Sequence, residues 1–230
     1  MTSINKTARI AGLVYLIIAV FGVLGVYIYS TLIIQGDATA TVNNIMASQS
    51  LFRLGFLSDS IVFLSEIVLV VLLYVLFKPV SKTLSLVAAF SRLAVAVIEG
   101  VNLLNYIYVS LLLSGASYMA VFGPGQLNAL VMMYLNAHVY GAYIWEAFFS
   151  IHLIALGYLV YKSGYFPKIV GIVLGILLVF ASVGYMTISL GNFVLPNNGV
   201  ISIISSVFIG IGTIGELSFA IWLLIKGVKE

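Results

Sequence analysis

The chain has no cysteine and very little charge: its 230 residues include 7 acidic and 10 basic side chains, 2 histidines and 4 prolines. Without a thiol there is no disulfide, no thiolate metal site and no cysteine nucleophile. At 7% charged and 63% hydrophobic residues, the sequence lacks the polar surface needed to cover a water-soluble globule of this length. Lipid has to act as its solvent.

What the sequence does have is apolar runs. A helix crossing a hydrocarbon core of about 30 Å needs roughly 20 mainly apolar residues. The chain divides into six such stretches, approximately 10–34, 51–77, 84–113, 129–161, 169–190 and 200–225. The prediction is an all-α polytopic membrane protein: one bundle of six transmembrane helices, with no stretch left for a separate soluble domain. Turn residues fall between the runs: Gly36, Asp37 and Asn43, then Pro79, Gly123-Pro124-Gly125, Gly164 with Pro167, and Pro196-Asn197-Asn198-Gly199.

Basic residues near span ends are retained on the cytoplasmic side. Lys6, Arg9, Lys78, Lys82, Lys162, Lys168, Lys226 and Lys229 all fall on one side of a six-helix layout, and the three opposite loops contain no Lys or Arg. Both termini are therefore expected in the cytoplasm. The net charge of +3 is a topology signal and does not indicate nucleic-acid binding. Lys6, Arg9 and the Ala38-Thr39-Ala40 stretch resemble parts of a secretory signal, but the first apolar run is about twice too long for one.

RIAGLVYLIIAVFGVLG from Arg9 resembles KIVGIVLGILLVFASVG from Lys168, so a duplicated hairpin and a chance likeness of glycine-bearing apolar helices both remain open. Gly171 with Gly175, and Ser206 with Gly210, have the spacing of four that lets helices approach closely in lipid. Packing inside one protomer is the expected use; a homodimer is compatible with the sequence but not required by it. Tyr27, Tyr29, Tyr106, Tyr108, Tyr158, Tyr161 and Trp222 suit an interfacial aromatic belt. A sharper alternative has Tyr106, Tyr134, Tyr143 and Trp145 lining an outward-facing vestibule.

The informative residues are the ionisable groups inside the spans, each costing about 2.5–3.5 kcal/mol at a helix centre. They are Asp59, Glu66, Arg92, Glu99, Glu146, His152 and Glu216. Asp59 and Glu66 are seven residues apart, as are Arg92 and Glu99, so each pair shares nearly one helix face. At about 1.5 Å per residue from the nearest basic end, Arg92, His152, Glu216 and Glu66 form an inner layer roughly 15–18 Å deep. Glu146, Glu99 and Asp59 form an outer layer roughly 24–28 Å deep, with Asn102 near their level.

In the inner layer Arg92 is expected to hold Glu66 or Glu216 by a bidentate bond. The outer acids have no cation at their depth except Arg53, expected at the interface. Such acids keep a proton, coordinate a metal ion or receive a cationic group. Carboxylates with the Asn102 oxygen suit Ca²⁺, Mg²⁺ or Na⁺, whereas Glu with His152 suits a transition metal. His138 and His152 are within about 40° on one face, but bis-histidine haem ligation needs a second histidine-bearing helix that the chain lacks.

Three stretches carry a family resemblance: LFRLGFLSDS from Leu51, GYLVYKSGYFPKIVG from Gly157 and AIWLLIKGVK from Ala220. They are similar to signature stretches of the domain-of-unknown-function 4386 family, and the likeness extends to Lys78-Pro79, Arg92, Gly184-Tyr185 and Glu216. The turn with Ser163, Gly164 and Pro167 is its most specific piece. The resemblance implies a prokaryotic plasma-membrane protein of about six helices, and supplies neither an activity nor site residues.

The leading expectation is a small transporter or a cation- or proton-linked binding protein. Asp59, Glu99, Asn102 and Glu146 would form its site, with Glu66, Arg92, His152 and Glu216 as an inner charge network. Its partners are the lipid bilayer and a cation or small polar ligand. The alternatives are a lipid-modifying membrane enzyme using a carboxylate and His152, and an accessory subunit without ligand chemistry. The sequence specifies no cofactor.

Overall fold

Each apolar run folds as a helix, and the chain turns where its helix signals stop. The computed structural model describes residues 3–196 and 198–229, and all regular structure in them is helical. The order is α1 (Ser3–Leu32), α2 (Ala38–Ala47), α3 (Gln49–Phe77), α4 (Lys82–Asn102), α5 (Leu104–Leu112), a 3-10 turn (Ser117–Val121) and α6 (Pro124–Lys162). It continues with α7 (Lys168–Met186), a π-helical turn (Thr187–Gly191), α8 (Asn192–Val194) and α9 (Gly199–Ile225). With α4 joined to α5 and α7 joined to α8, six helices among the described residues are long and apolar enough to cross a membrane.

Side-chain caps set several of the starts. Asp37 accepts from the Ala40 N–H at 2.9 Å and begins α2, an element too short for the apolar-run reading to detect. Asn198 accepts from the Val200 and Ile201 N–H groups and begins α9. Its neighbour Asn197, in the expected Pro196–Gly199 turn, lies outside the described residues. Pro124, expected in a loop, is instead the first residue of α6, where its missing N–H costs nothing.

Every spanning helix packs on its neighbours in sequence, and α9 returns to pack on α1, so the six form a ring. Glycines set the closest approaches. A Cβ on Gly157 of α6 would lie 2.8 Å from the Gly175 carbonyl oxygen of α7, and the converse also holds. Gly12 of α1 faces the backbone of Ala220 and Leu224 on α9, and Gly212 and Gly215 of α9 face Ala181 and Leu177 on α7. Without a hydrophobic force between helices in lipid, such backbone proximity is what van der Waals packing requires. Ser206 and Gly210 do not serve this purpose: Ser206 is exposed and a Cβ at Gly210 would meet nothing within 4 Å. Their spacing of four falls on the outward face of α9. In the two similar hairpins, Gly25 faces Asp59 on the following α3, and Gly184 faces Ile209 on the following α9.

The end of the ring that carries the lysines is filled by Leu73, Phe77, Leu156, Leu159, Phe219 and Leu223. The far end is covered differently. At 39 residues, α6 is about 58 Å long, and its first turns join α2 to make a cap. There Asn128 Nδ2 donates to Thr39 Oγ1 at 3.3 Å, above an apolar cluster with Ile45, Phe52, Leu112, Val131 and Leu135.

Candidate functional site

Between these two plugs lies a cavity of about 810 Å³, walled by α1, α3, α4, α5, α6, α7 and α9. Its floor, towards the lysine end, is organised by Arg92, which is 1% exposed. Arg92 makes a bidentate bond with Glu66, Nε to Oε2 and Nη2 to Oε1. Nη1 donates to the Tyr15 hydroxyl and to His152 Nε2, both at 2.9 Å. The guanidinium also lies 4.7 Å from the Tyr15 ring centroid and 5.3 Å from that of Phe149. Planar, forked and weakly hydrated, arginine is the cation suited to such a buried position.

This network fixes the state of His152. An arginine N–H can only donate, so Nε2 must be the acceptor; the Ala88 carbonyl 2.8 Å from Nδ1 can only accept, so Nδ1 carries the hydrogen. The imidazole is neutral and both of its nitrogens are engaged.

Higher in the cavity, the α4–α5 break at Leu103 leaves helix carbonyls without their usual partners, and polar side chains take them up. Asn105 Nδ2 donates to the Asn102 carbonyl at 3.0 Å and to Asn102 Oδ1 at 2.9 Å. Asn102 Nδ2 donates to the His138 carbonyl at 2.8 Å. Gly141 makes room for this amide, because a Cβ there would overlap it. Asn102, expected as an oxygen ligand for a cation, is thus engaged through both amide atoms, Oδ1 with Asn105 of α5 and Nδ2 with the His138 carbonyl of α6.

Asp59, Glu99 and Glu216 line the cavity; the Tyr29 hydroxyl neighbours Asp59, and among the described residues no basic side chain pairs with any of the three. Asp59 is seated against Gly25, where a Cβ would overlap Oδ1. Glu216, expected in the inner charge network, is not bonded to Arg92; Glu66 has that place. Glu146, expected in the site, is absent from the cavity wall, and its Oε2 is buried without a partner. It follows Trp145, which does line the cavity, by one residue, and about 100° of helical rotation turns it away. Among the described residues no three of His, Asp and Glu come close enough to share a metal ion.

Aromatic rings complete the wall. Tyr29, Tyr106 and His138 stack in series, with centroids 4.2 and 4.1 Å apart. Tyr29, expected in the interfacial belt, is 9% exposed with its hydroxyl next to Asp59, whereas Tyr27 is 67% exposed and does face outward. Of the four vestibule residues, Tyr106 and Trp145 line the cavity and Tyr134 and Tyr143 do not. Sequence reasoning missed Tyr15, Tyr185 and the cavity role of His138. Tyr15 did carry a signal: it sits in the middle of a 30-residue helix, where an interfacial belt cannot account for a phenol.

Six long apolar helices around a cavity that holds buried ionisable groups define a multi-pass α-helical membrane protein. The chain belongs to the family described as Domain of unknown function (DUF4386), which matches residues 10–227. An uncharacterized protein of Archaeoglobus fulgidus is 34% identical over 172 residues, spanning 74% of this chain and 81% of the relative. No solved structure matches the chain.

Proposed function

We propose that this is a prokaryotic plasma-membrane protein that binds an organic cation within the membrane, as a small transporter or a cation-linked binding protein, with both termini in the cytoplasm. One observation carries the reading. Asp59, Glu99 and Glu216 stand without a cationic partner among the described residues on the wall of a largely apolar cavity, while Arg92 at that wall is taken by Glu66. An acid so placed is balanced by a proton or by a guest cation. Because the acids are too dispersed to enclose a bare metal ion, a cation carrying its own apolar bulk is the better match for the volume. The orientation rests on the eight basic residues gathered at one end.

The enzymatic alternative loses His152 as its acid or base, since neither nitrogen has a lone pair or proton left for a substrate. The chain contains two tryptophans, so Trp222→Phe leaves Trp145 as a single reporter on the cavity wall. Titration with tetraphenylphosphonium should change its emission saturably, and the equally sized anion tetraphenylborate should not. Adding Glu99→Gln and Glu216→Gln together should weaken the phosphonium response at least tenfold, whereas Glu146→Gln leaves it unchanged. Equal responses to the two ions, or an unaffected double variant, would refute the proposal.

A further inference from the structure

The ring is not closed evenly along its length. At the lysine end, α1 and α9 touch backbone to backbone at Gly12, and Asn5 Oδ1 accepts from the Val228 N–H at 3.4 Å just beyond α9. Towards the far end the two helices part. A Cβ at Gly22 of α1, which lines the cavity, would meet nothing within 4 Å. Val23 and Val26 of α1 line the cavity and yet are 71% and 72% exposed. Thr213 of α9 also lines it while exposed. Residues that belong to both an interior wall and the outer surface mark an opening, and here it faces the hydrocarbon of the bilayer. The lining reaches Gln35, just past the end of α1, so the opening runs up to the membrane interface.

The geometry points to a bilayer amphiphile as the guest: a lipid with an ammonium headgroup that passes sideways between α1 and α9, its headgroup among the carboxyls and its chain in the cleft. This rests on the cation-binding reading above and specifies the ligand class. Glu216 lies three residues from Thr213, on the α9 side of the opening, while Asp59 is on α3 beside α1 and Glu99 is on α4 across the cavity. An ammonium group therefore has acceptors from the threshold to the back wall. The Tyr29 hydroxyl, nine-tenths buried and next to Asp59, adds a further polar group at the wall. The exposed valines at the threshold suit an acyl chain and offer nothing to a hydrated ion. The far-end cap and the apolar plug at the lysine end leave this flank as the wide approach to the cavity.

The test uses full-length Trp222→Phe protein in nanodiscs. Small mole fractions of phosphatidylethanolamine or phosphatidylglycerol with brominated chains are added, because bromine quenches tryptophan on contact. Phosphatidylethanolamine should quench Trp145 saturably, at least fivefold more than phosphatidylglycerol, and tetraphenylphosphonium should reverse it. Gly22→Phe, which has open space for the ring, and separately Thr213→Phe should abolish the quenching by blocking the opening. Equal quenching by the two lipids, or undiminished quenching in both phenylalanine variants, overturns the lateral-access proposal. If tetraphenylphosphonium still acts on Trp145 in that case, the cation site itself survives; if it does not, both readings fall.

Discussion

Replacing Arg92 with methionine keeps most of the side-chain volume and removes the charge, and the consequences can be worked from its contacts. Arg92 and Glu66 are 1% and 4% exposed, and Arg92 bonds also to Tyr15 and His152. Arg92→Met leaves a buried carboxyl, a hydroxyl and an imidazole nitrogen without their partner. Removing one member of a buried pair costs about 3–5 kcal/mol, whereas replacing both with apolar groups is often close to neutral. Glu66→Met should cost a similar amount, since it leaves the guanidinium buried and unpaired. The double variant should then be more stable than either single one, with a coupling of about 1–3 kcal/mol. Tyr15 and His152 still lose their donor, so recovery is partial. Reversible unfolding in mixed micelles, followed by far-ultraviolet circular dichroism, measures all four corners of the cycle. A loss below about 1 kcal/mol for Arg92→Met, or simple addition of the two single effects, would show that the network does not hold the floor of the cavity.

Gly175→Ala should destabilise by about 1–3 kcal/mol through its contact with the Gly157 carbonyl, whereas Gly210→Ala should be neutral or stabilising by up to about 1 kcal/mol, since it gains helix propensity in open space; thermal unfolding in detergent separates the two. The absence of native cysteine permits a clean topology test. In intact cells a membrane-impermeant maleimide should label Ser117→Cys and leave Lys78→Cys unlabelled, and the reverse pattern would invert the proposed orientation.

The six spans could be read from the sequence because length and hydropathy suffice to define them. The break at Leu103 could not: Gly100 lies a turn before it but reads like any other helical glycine, and the groups that accompany the break are the Asn102–Asn105 pair and a glycine on another helix, Gly141. Likewise, Arg92 plainly needed a carboxyl, but the choice of Glu66 over Glu216 depends on α3 lying beside α4 in the ring, which no local pattern encodes. Tyr27 and Tyr29 are two residues apart and read alike as belt residues. About 200° of helical rotation separates them, and only the position of α3 and α5 decides which points inward. The surplus of acids over bases was visible in the composition. Which acids face one another was not, and Glu146 illustrates the limit.

Because the ring follows chain order, five of its six seams join helices that emerge consecutively during synthesis, and each can dock as soon as it is inserted. The sixth joins the first helix to the last and must wait until the whole chain has been made. The clasp between Asn5 and Val228 is therefore a late event in assembly, and the flank assigned to guest passage lies along a seam that translation cannot complete step by step.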